Sequence, residues 1–235
     1  MIICHTQRLI FVKTKKVAGT SFEIALSGLC GPDCTITPIS PVDEEMRRQL
    51  GCRGAQNYQT PVWQLGAGRG EFRSPATFYN HMPAPDIQAA VPAELWESYR
   101  KVTLVRNPYD VAISMYFWQD HVSNLAAQGV DFGQFVAALG DGLNFNDQIA
   151  PLEGPARMDH YLRYEHLHDD IDSLGIKGLA DVLDVLKSKA DIRPKTGTSM
   201  QDMYQRHPEA AATVARACRA QIDAFGYAHP LQSAA

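Results

Sequence analysis

An α/β fold around a mostly parallel sheet is expected from three observations. Short apolar runs alternate with segments of helical periodicity. The clearest run, Lys101-Val102-Thr103-Leu104-Val105, is apolar and β-branched without polar alternation, as in a strand covered on both faces. Two such runs, 8–13 and 101–105, each pass through a short polar turn into a helix start.

The elements follow in order. Residues 8–13 read as a buried strand and 20–28 as the helix after it. Residues 31–75 are rich in Gly and Pro and read as loop, with the charged stretch 43–48 making one helical turn or two. A second short strand is expected at 75–80. Segments 83–90 and 92–99 each open on proline, a good first helical residue. After strand 101–105, Arg106-Asn107-Pro108 opens a helix to about 125. Val111, Ile113, Met115, Phe117 and Trp118 make that helix apolar on most sides, so a central place is expected, and Tyr116-Phe117-Trp118 reads as core.

Asp131 is a cap for a helix over 131–139. A strand over 159–164 and a helix from 165 come next. Leu179, Val182, Leu183 and Leu186 form one helical face; Ala211, Val214, Cys218, Ile222 and Phe225 form another, on the last helix. Residues 232–235 read as frayed. There is no internal repeat or low-complexity segment, and a single domain over 1–235 is expected.

Composition narrows the partners. A net charge of −4 argues against a general nucleic-acid binder, which needs a basic surface to release counterions. No apolar run is long enough for a membrane span. The opening Met1-Ile2-Ile3-Cys4-His5 is too short and poorly shaped for a secretory signal. The five cysteines, Cys4, Cys30, Cys34, Cys52 and Cys218, are odd in number and scattered, which favours reduced thiols and a cytoplasmic protein. Cys30-x3-Cys34 with Cys52 hints at a metal site but lacks a fourth ligand at finger-like spacing, so free cysteines are expected.

Three pieces carry chemistry. In Phe11-Val12-Lys13-Thr14-Lys15-Lys16-Val17-Ala18-Gly19-Thr20-Ser21, a strand gives way to a basic turn and then to small and hydroxylated residues at a helix start. Helix-start N–H groups and lysine charge suit an anion. The Walker A order is absent, because the lysine precedes the glycine. His81, in Phe78-Tyr79-Asn80-His81-Met82-Pro83, follows the second expected strand. Arg106 stands at the exit of strand 101–105, with Ser114 two helical turns on. In parallel α/β sheets ligands collect at such carboxyl ends. Taken singly, each piece also has a plain reading: a polar turn, a capping arginine, a surface or core histidine.

Together these residues resemble the PAPS-dependent sulfotransferases. Lys16-Val17-Ala18-Gly19-Thr20-Ser21 is similar to that family's 5′-phosphosulfate loop, usually Pro-Lys-Thr-Ala/Gly-Gly-Thr-Ser. Arg106-Asn107-Pro108-Tyr109-Asp110-Val111-Ala112-Ile113-Ser114 looks like its 3′-phosphate signature, and His81-Met82-Pro83 like the segment of its catalytic histidine. The spacings, 65 residues from Lys16 to His81 and 25 from there to Arg106, are similar too. Tyr161-Leu162-Arg163-Tyr164-Glu165-His166-Leu167 and the ending Phe225-Gly226-Tyr227 also look like family segments, the latter among bacterial carbohydrate-type members. Glu165 reads most simply as a residue of a first helical turn. Residues 31–75 have no match.

The resemblance implies a three-layer, P-loop NTPase-like sulfotransferase fold and transfer of a sulfuryl group from PAPS to an acceptor hydroxyl, leaving PAP. It implies Lys16 and His81 as catalytic. It places Lys16, Val17, Ala18, Gly19, Thr20 and Ser21 on the phosphosulfate, and Arg106 and Ser114 on the 3′-phosphate. It also places Lys195, Gly197 and Thr198, in the basic turn 193–198, over the nucleotide; a solvated loop is the alternative there. No metal is implied, since lysine supplies the counter-charge. Lys15 stands in place of the usual proline and Val17 in place of a hydroxyl residue, with Lys13 and Lys15 expected to add compensating charge.

A carbohydrate acceptor is the first expectation, with a lipid, a small phenol or a peptide tyrosine open. Tyr58, Trp63 and Phe72 are candidates to line it, or equally core. Two rival classes remain: a non-catalytic nucleotide-binding relative, and a P-loop kinase. The kinase would want an acidic Mg²⁺ ligand where Arg106 stands. Oligomeric state is not readable.

Overall fold

The computed structural model describes residues 1–60, 77–185, 193–195 and 197–231. The expectations at residues 61–76, 186–192, 196 and 232–235, which include Trp63, Phe72 and Leu186, lie outside them. In chain order the elements begin β1 (Ile2–Cys4), β2 (Leu9–Phe11), α1 (Gly19–Ser27), β3 (Thr35–Ile36), α2 (Pro41–Gln49), α3 (Ala84–Ala90), α4 (Ala93–Ser98) and β4 (Arg100–Val105). Next are α5 (Pro108–Ser123), α6 (Phe132–Leu139), α7 (Phe145–Ile149), β5 (His160–Arg163), α8 (Leu167–Ser173) and α9 (Leu179–Val185). The chain closes with α10 (Met200–Arg206), α11 (Pro208–Ala217) and α12 (Arg219–Phe225).

The fold is α/β, on a five-stranded mixed sheet of order β3-β1-β2-β4-β5. It is less parallel than the sequence suggests. The β2–β4 and β4–β5 pairings are parallel, whereas β1 runs antiparallel to both β2 and β3. The reason is local. Ile2-Ile3-Cys4 is already strand, and the chain turns back through residues 5–8 into β2, with Arg8 in the left-handed region (φ 48°). A three-residue strand is too short to show any period.

The contacts group the chain into two compact units. The first holds Met1–Val105 and Ile149–Leu186 and contains the sheet. All residues of β1, β2 and β3 are buried, which is why their apolar runs do not alternate. Its core joins Ile3, Ile10, Val12, Phe78, Met82, Ile87 and Trp96. Helix α1 packs on β1 and α9. The stretch read as loop holds β3 and α2; Ser40 caps α2 by accepting from Asp43 N at 3.3 Å, with acids in its first turn and arginines in its last. The strand expected at 75–80 is not formed in its described part, 77–80, which is bend and turn. Pro83 and Pro92 sit one residue earlier than expected, at the N-caps of α3 and α4.

The second unit holds Arg106–Gln148 and Lys187–Ala235, and its elements are helical. Its core joins Tyr109, Ile113, Tyr116, Phe132, Val136, Tyr204 and Val214. Asp131 caps α6 as expected, in a capping box with Gln134. Helix α5 is less central than its composition suggests: Tyr109, Val111, Ala112, Ile113 and Tyr116 are buried, but Met115, Phe117 and Trp118 are only half-buried. The expected last helix is two helices, broken at Cys218. Gly226 closes α12 in the left-handed region (φ 67°), the usual work of a glycine after a helix. Among the described residues, no helix is long and apolar enough to cross a membrane.

Candidate functional site

The basic loop grows from the carboxyl end of β2. Val12 N donates to Val102 O (2.9 Å), Thr103 Oγ1 to Val12 O (2.7 Å) and Thr14 Oγ1 to Leu104 O (2.6 Å). These bonds carry residues 12–14 alongside β4, so the chain leaves the sheet at Lys15. Lys16 (φ 63°) and Ala18 (φ 62°) are both left-handed. Non-glycine residues hold that conformation at a cost of order 1–3 kcal/mol each, and such strain gathers at functional sites. Val17 between them lies outside that region.

Helix α1 then starts at Gly19 with no side chain capping it and no acidic residue in its first turn, which suits an anion. Glycine at 19 eases a close approach: a Cβ there would lie 3.1 Å from Lys13 Cγ and 3.2 Å from Thr14 O, so these neighbours would have to give by a few tenths of an ångström. Lys15, Lys16 and Thr20 are half-exposed, whereas Ser21 is buried. The Val17 side chain is buried too, which leaves its backbone to meet a ligand.

Lys13 does not supply the expected compensating charge. It is buried, and its Nζ lies 2.7 Å from Glu23 Oε2, on α1. The Met1 amine (2.9 Å) and Arg47 Nη2 (3.9 Å) meet the other oxygen of Glu23. Burial pushes the Glu23 carboxyl up, but the amine and Lys13 outweigh it and hold it below the usual carboxylate range. Lysine at 13 is therefore part of the scaffold under the loop. Glu23 has no sequence signal beyond its place on the buried side of α1.

His81 comes to the same segment. Its Nδ1 lies 2.9 Å from the carbonyl oxygen of Lys13. A carbonyl only accepts, so Nδ1 carries the proton and Nε2 keeps its lone pair. Burial first, and then the Lys13 charge, bring the imidazole down to about 4, so it is neutral at pH 7. His81 is also left-handed (φ 61°), in the turn that follows the buried Phe78.

The second unit places the other predicted residues. Asn107 caps α5 through Oδ1, which accepts from Tyr109 N at 3.1 Å. Arg106 Nε donates to Asp110 Oδ2 at 2.9 Å, and its Nη2 meets the same oxygen. Arg193 Nη1 takes the other oxygen, Oδ1, at 2.5 Å. Two guanidiniums thus meet one carboxylate. Arg193 also donates through Nε to Thr198 O at 2.8 Å, which folds the turn containing Lys195 and Gly197 (φ 67°). Lys195 and Gly197 are exposed, and Thr198 and Ser114 half-buried. Asp110 and Arg193 are functional candidates that sequence reasoning passed over. The available signal was an acid four residues after Arg106, one helical turn on.

Other expectations resolve more simply. Tyr58 is half-buried against the first unit's core. Tyr164, Glu165 and His166 form a 3₁₀ turn ahead of α8, so Glu165 lies just before that helix. A cavity of about 510 Å³ in the first unit, lined by Trp96, Lys101, Arg157 and Asp159 among others, includes none of the predicted site residues. Of the cysteines, Cys30 and Cys34 are joined by Cys4 and not by Cys52. Hydrogen bonds from Cys30 and Cys4 draw the Cys34 thiol below the ordinary thiol range. No protein-family model, no curated protein and no solved structure matches this chain.

Proposed function

We propose that this chain moves a sulfuryl group from PAPS to an acceptor hydroxyl, giving PAP and a sulfate ester. The observation that carries the reading is the hydrogen bond between His81 and the Lys13 carbonyl. It ties the residue singled out as a base to the segment singled out as an anion loop, 68 positions away, and leaves Nε2 ready to accept a proton.

The donor brings an activated sulfuryl group. Lys16, the amides of residues 18–21 and the hydroxyls of Thr20 and Ser21 hold its phosphosulfate end, with Val17 contributing backbone alone. His81 Nε2 takes the proton of the acceptor hydroxyl while that oxygen bonds to sulfur. The bond from sulfur to the phosphate oxygen breaks, and Lys16 stabilises the charge left on that oxygen, a role usually worth several kcal/mol. Arg106 and Ser114 hold the 3′-phosphate, which separates PAPS from ATP. Arg193 orders the turn of Lys195, Gly197 and Thr198 that folds over the nucleotide. A carbohydrate hydroxyl is the proposed acceptor class.

Thermal unfolding with PAP, ATP and AMP tests the donor: PAP alone is expected to raise Tm by mass action. Equal shifts with all three nucleotides would refute a 3′-phosphate site. Transfer of labelled sulfate from PAPS to an acceptor panel then tests the reaction.

A further inference from the structure

Cys4 lies on β1, Cys30 follows α1 and Cys34 precedes β3, yet their three sulfurs all lie within 4.8 Å of one another. All three residues are buried. Two backbone amides, His5 N and Gly31 N, donate to Cys34 Sγ at 3.2 Å each. Thr6 Oγ1 stands 3.1 Å from Cys4 Sγ. Amide donors converging on one sulfur favour its thiolate, and such outer bonds commonly accompany metal-bound sulfur. A cavity of about 480 Å³ lined by Gly28, Cys30, Arg53 and Gln56 adjoins one member of the cluster.

We propose that Cys4, Cys30 and Cys34 form a binding site for a thiophilic d¹⁰ cation, copper(I) or zinc(II), held by three sulfurs. A metal–sulfur distance of about 2.3 Å sets planar three-coordinate sulfurs roughly 4 Å apart. The present separations therefore need to close by less than about 1 Å. Among the described residues, no histidine or carboxylate joins the three sulfurs. That favours copper(I), which soft thiolates select; zinc would take a solvent oxygen as its fourth ligand. Binding forms three metal–sulfur bonds, and each sulfur that still holds a proton loses it to solvent, with no change of oxidation state.

The test uses the full chain, reduced and free of metal. Copper(I) delivered from a competing chelator and zinc(II) are titrated separately, following sulfur-to-metal charge transfer for copper, chelator competition for zinc, and thiol reactivity toward a disulfide reagent for both. One equivalent per chain, with three of the five cysteines protected, is the expected result. Tighter binding of copper identifies the three-coordinate form, and tighter binding of zinc the form with a solvent ligand. Cys4→Ser, Cys30→Ser and Cys34→Ser should each weaken binding roughly tenfold or more, and Cys52→Ser should not. X-ray absorption of the loaded wild type gives the sulfur count directly, should a serine variant fail to fold. No stoichiometric binding of either ion, fewer than three sulfurs, or loss equally severe in Cys52→Ser would overturn the site.

Discussion

Each compact unit carries a cluster of opposite charges, and the two differ in their exposure to water. In the first unit, Glu23 (0% exposed) sits among the Met1 amine, Lys13 (3%) and Arg47 (0%). In the second, Arg106 (14%) and Arg193 (27%) share Asp110 (23%). The residue types are nearly the same, yet the physics is not. Buried charges are desolvated in the fold itself, so each needs its partner and none is free to trade it for a ligand. Partly hydrated charges keep the option of exchanging a carboxylate for a phosphate at small loss. The contrast places Lys13 in the scaffold, and it leaves Arg106 the better hydrated of the two kinds of cation.

The sharpest break of this contrast is Glu23→Gln. Removing the carboxylate that three buried cations share, of which Arg47 also meets Glu44 at 2.9 Å, should cost about 3–5 kcal/mol in urea unfolding; a loss below about 1 kcal/mol would place the first cluster with the second. Next is His81→Ala. Turnover should fall by about 10² to 10⁴ with PAP affinity nearly unchanged, and full activity would remove His81 as the base.

Arg106→Ala tests the hydrated cluster. PAP binding should weaken by about 1.5–3 kcal/mol, while a nucleotide without the 3′-phosphate is hardly affected. Folding stability should change by less than about 1 kcal/mol. Equal affinity losses for both nucleotides in calorimetry would count against the assignment.

The last test is in pH dependence. The folded imidazole of His81 titrates at about 4, below its ordinary value of 6.5. The unfolded chain therefore binds the extra proton first. Stability from the neutral, buried His81 is present above pH 6.5 and is lost as pH falls through 4. Relative to His81→Asn, the wild type should lose stability across that window, and parallel curves would show that the imidazole is not buried neutral.

Much of the architecture was legible where side chains speak locally. The run 101–105, the Asn107-Pro108 helix start and the Asp131 cap all appear at or within a residue of their expected places, because strand burial and capping are short-range effects. The hairpin of β1 and β2 was not legible, since three-residue strands have no readable period. The break at Cys218 was hidden because its face-forming residues continue at helical spacing across it. At the candidate site, the chemistry-bearing residue types were visible but their partners were not. Asp110 lies within 106–114 and carried no role in the sequence reading, and Arg193 is 83 positions from the carboxylate it meets.

By itself, the sequence determined the alternation of strands and helices, the basic loop ahead of a helix start, and the arginine at the end of β4. These follow from backbone propensity, burial and capping over a few residues. Only the tertiary structure decided which lysine is buried in an ion cluster, which imidazole nitrogen holds its proton, and which three of five cysteines meet. Those outcomes depend on contacts between distant segments and on how much water each charge retains, and neither is written in any local stretch of the chain.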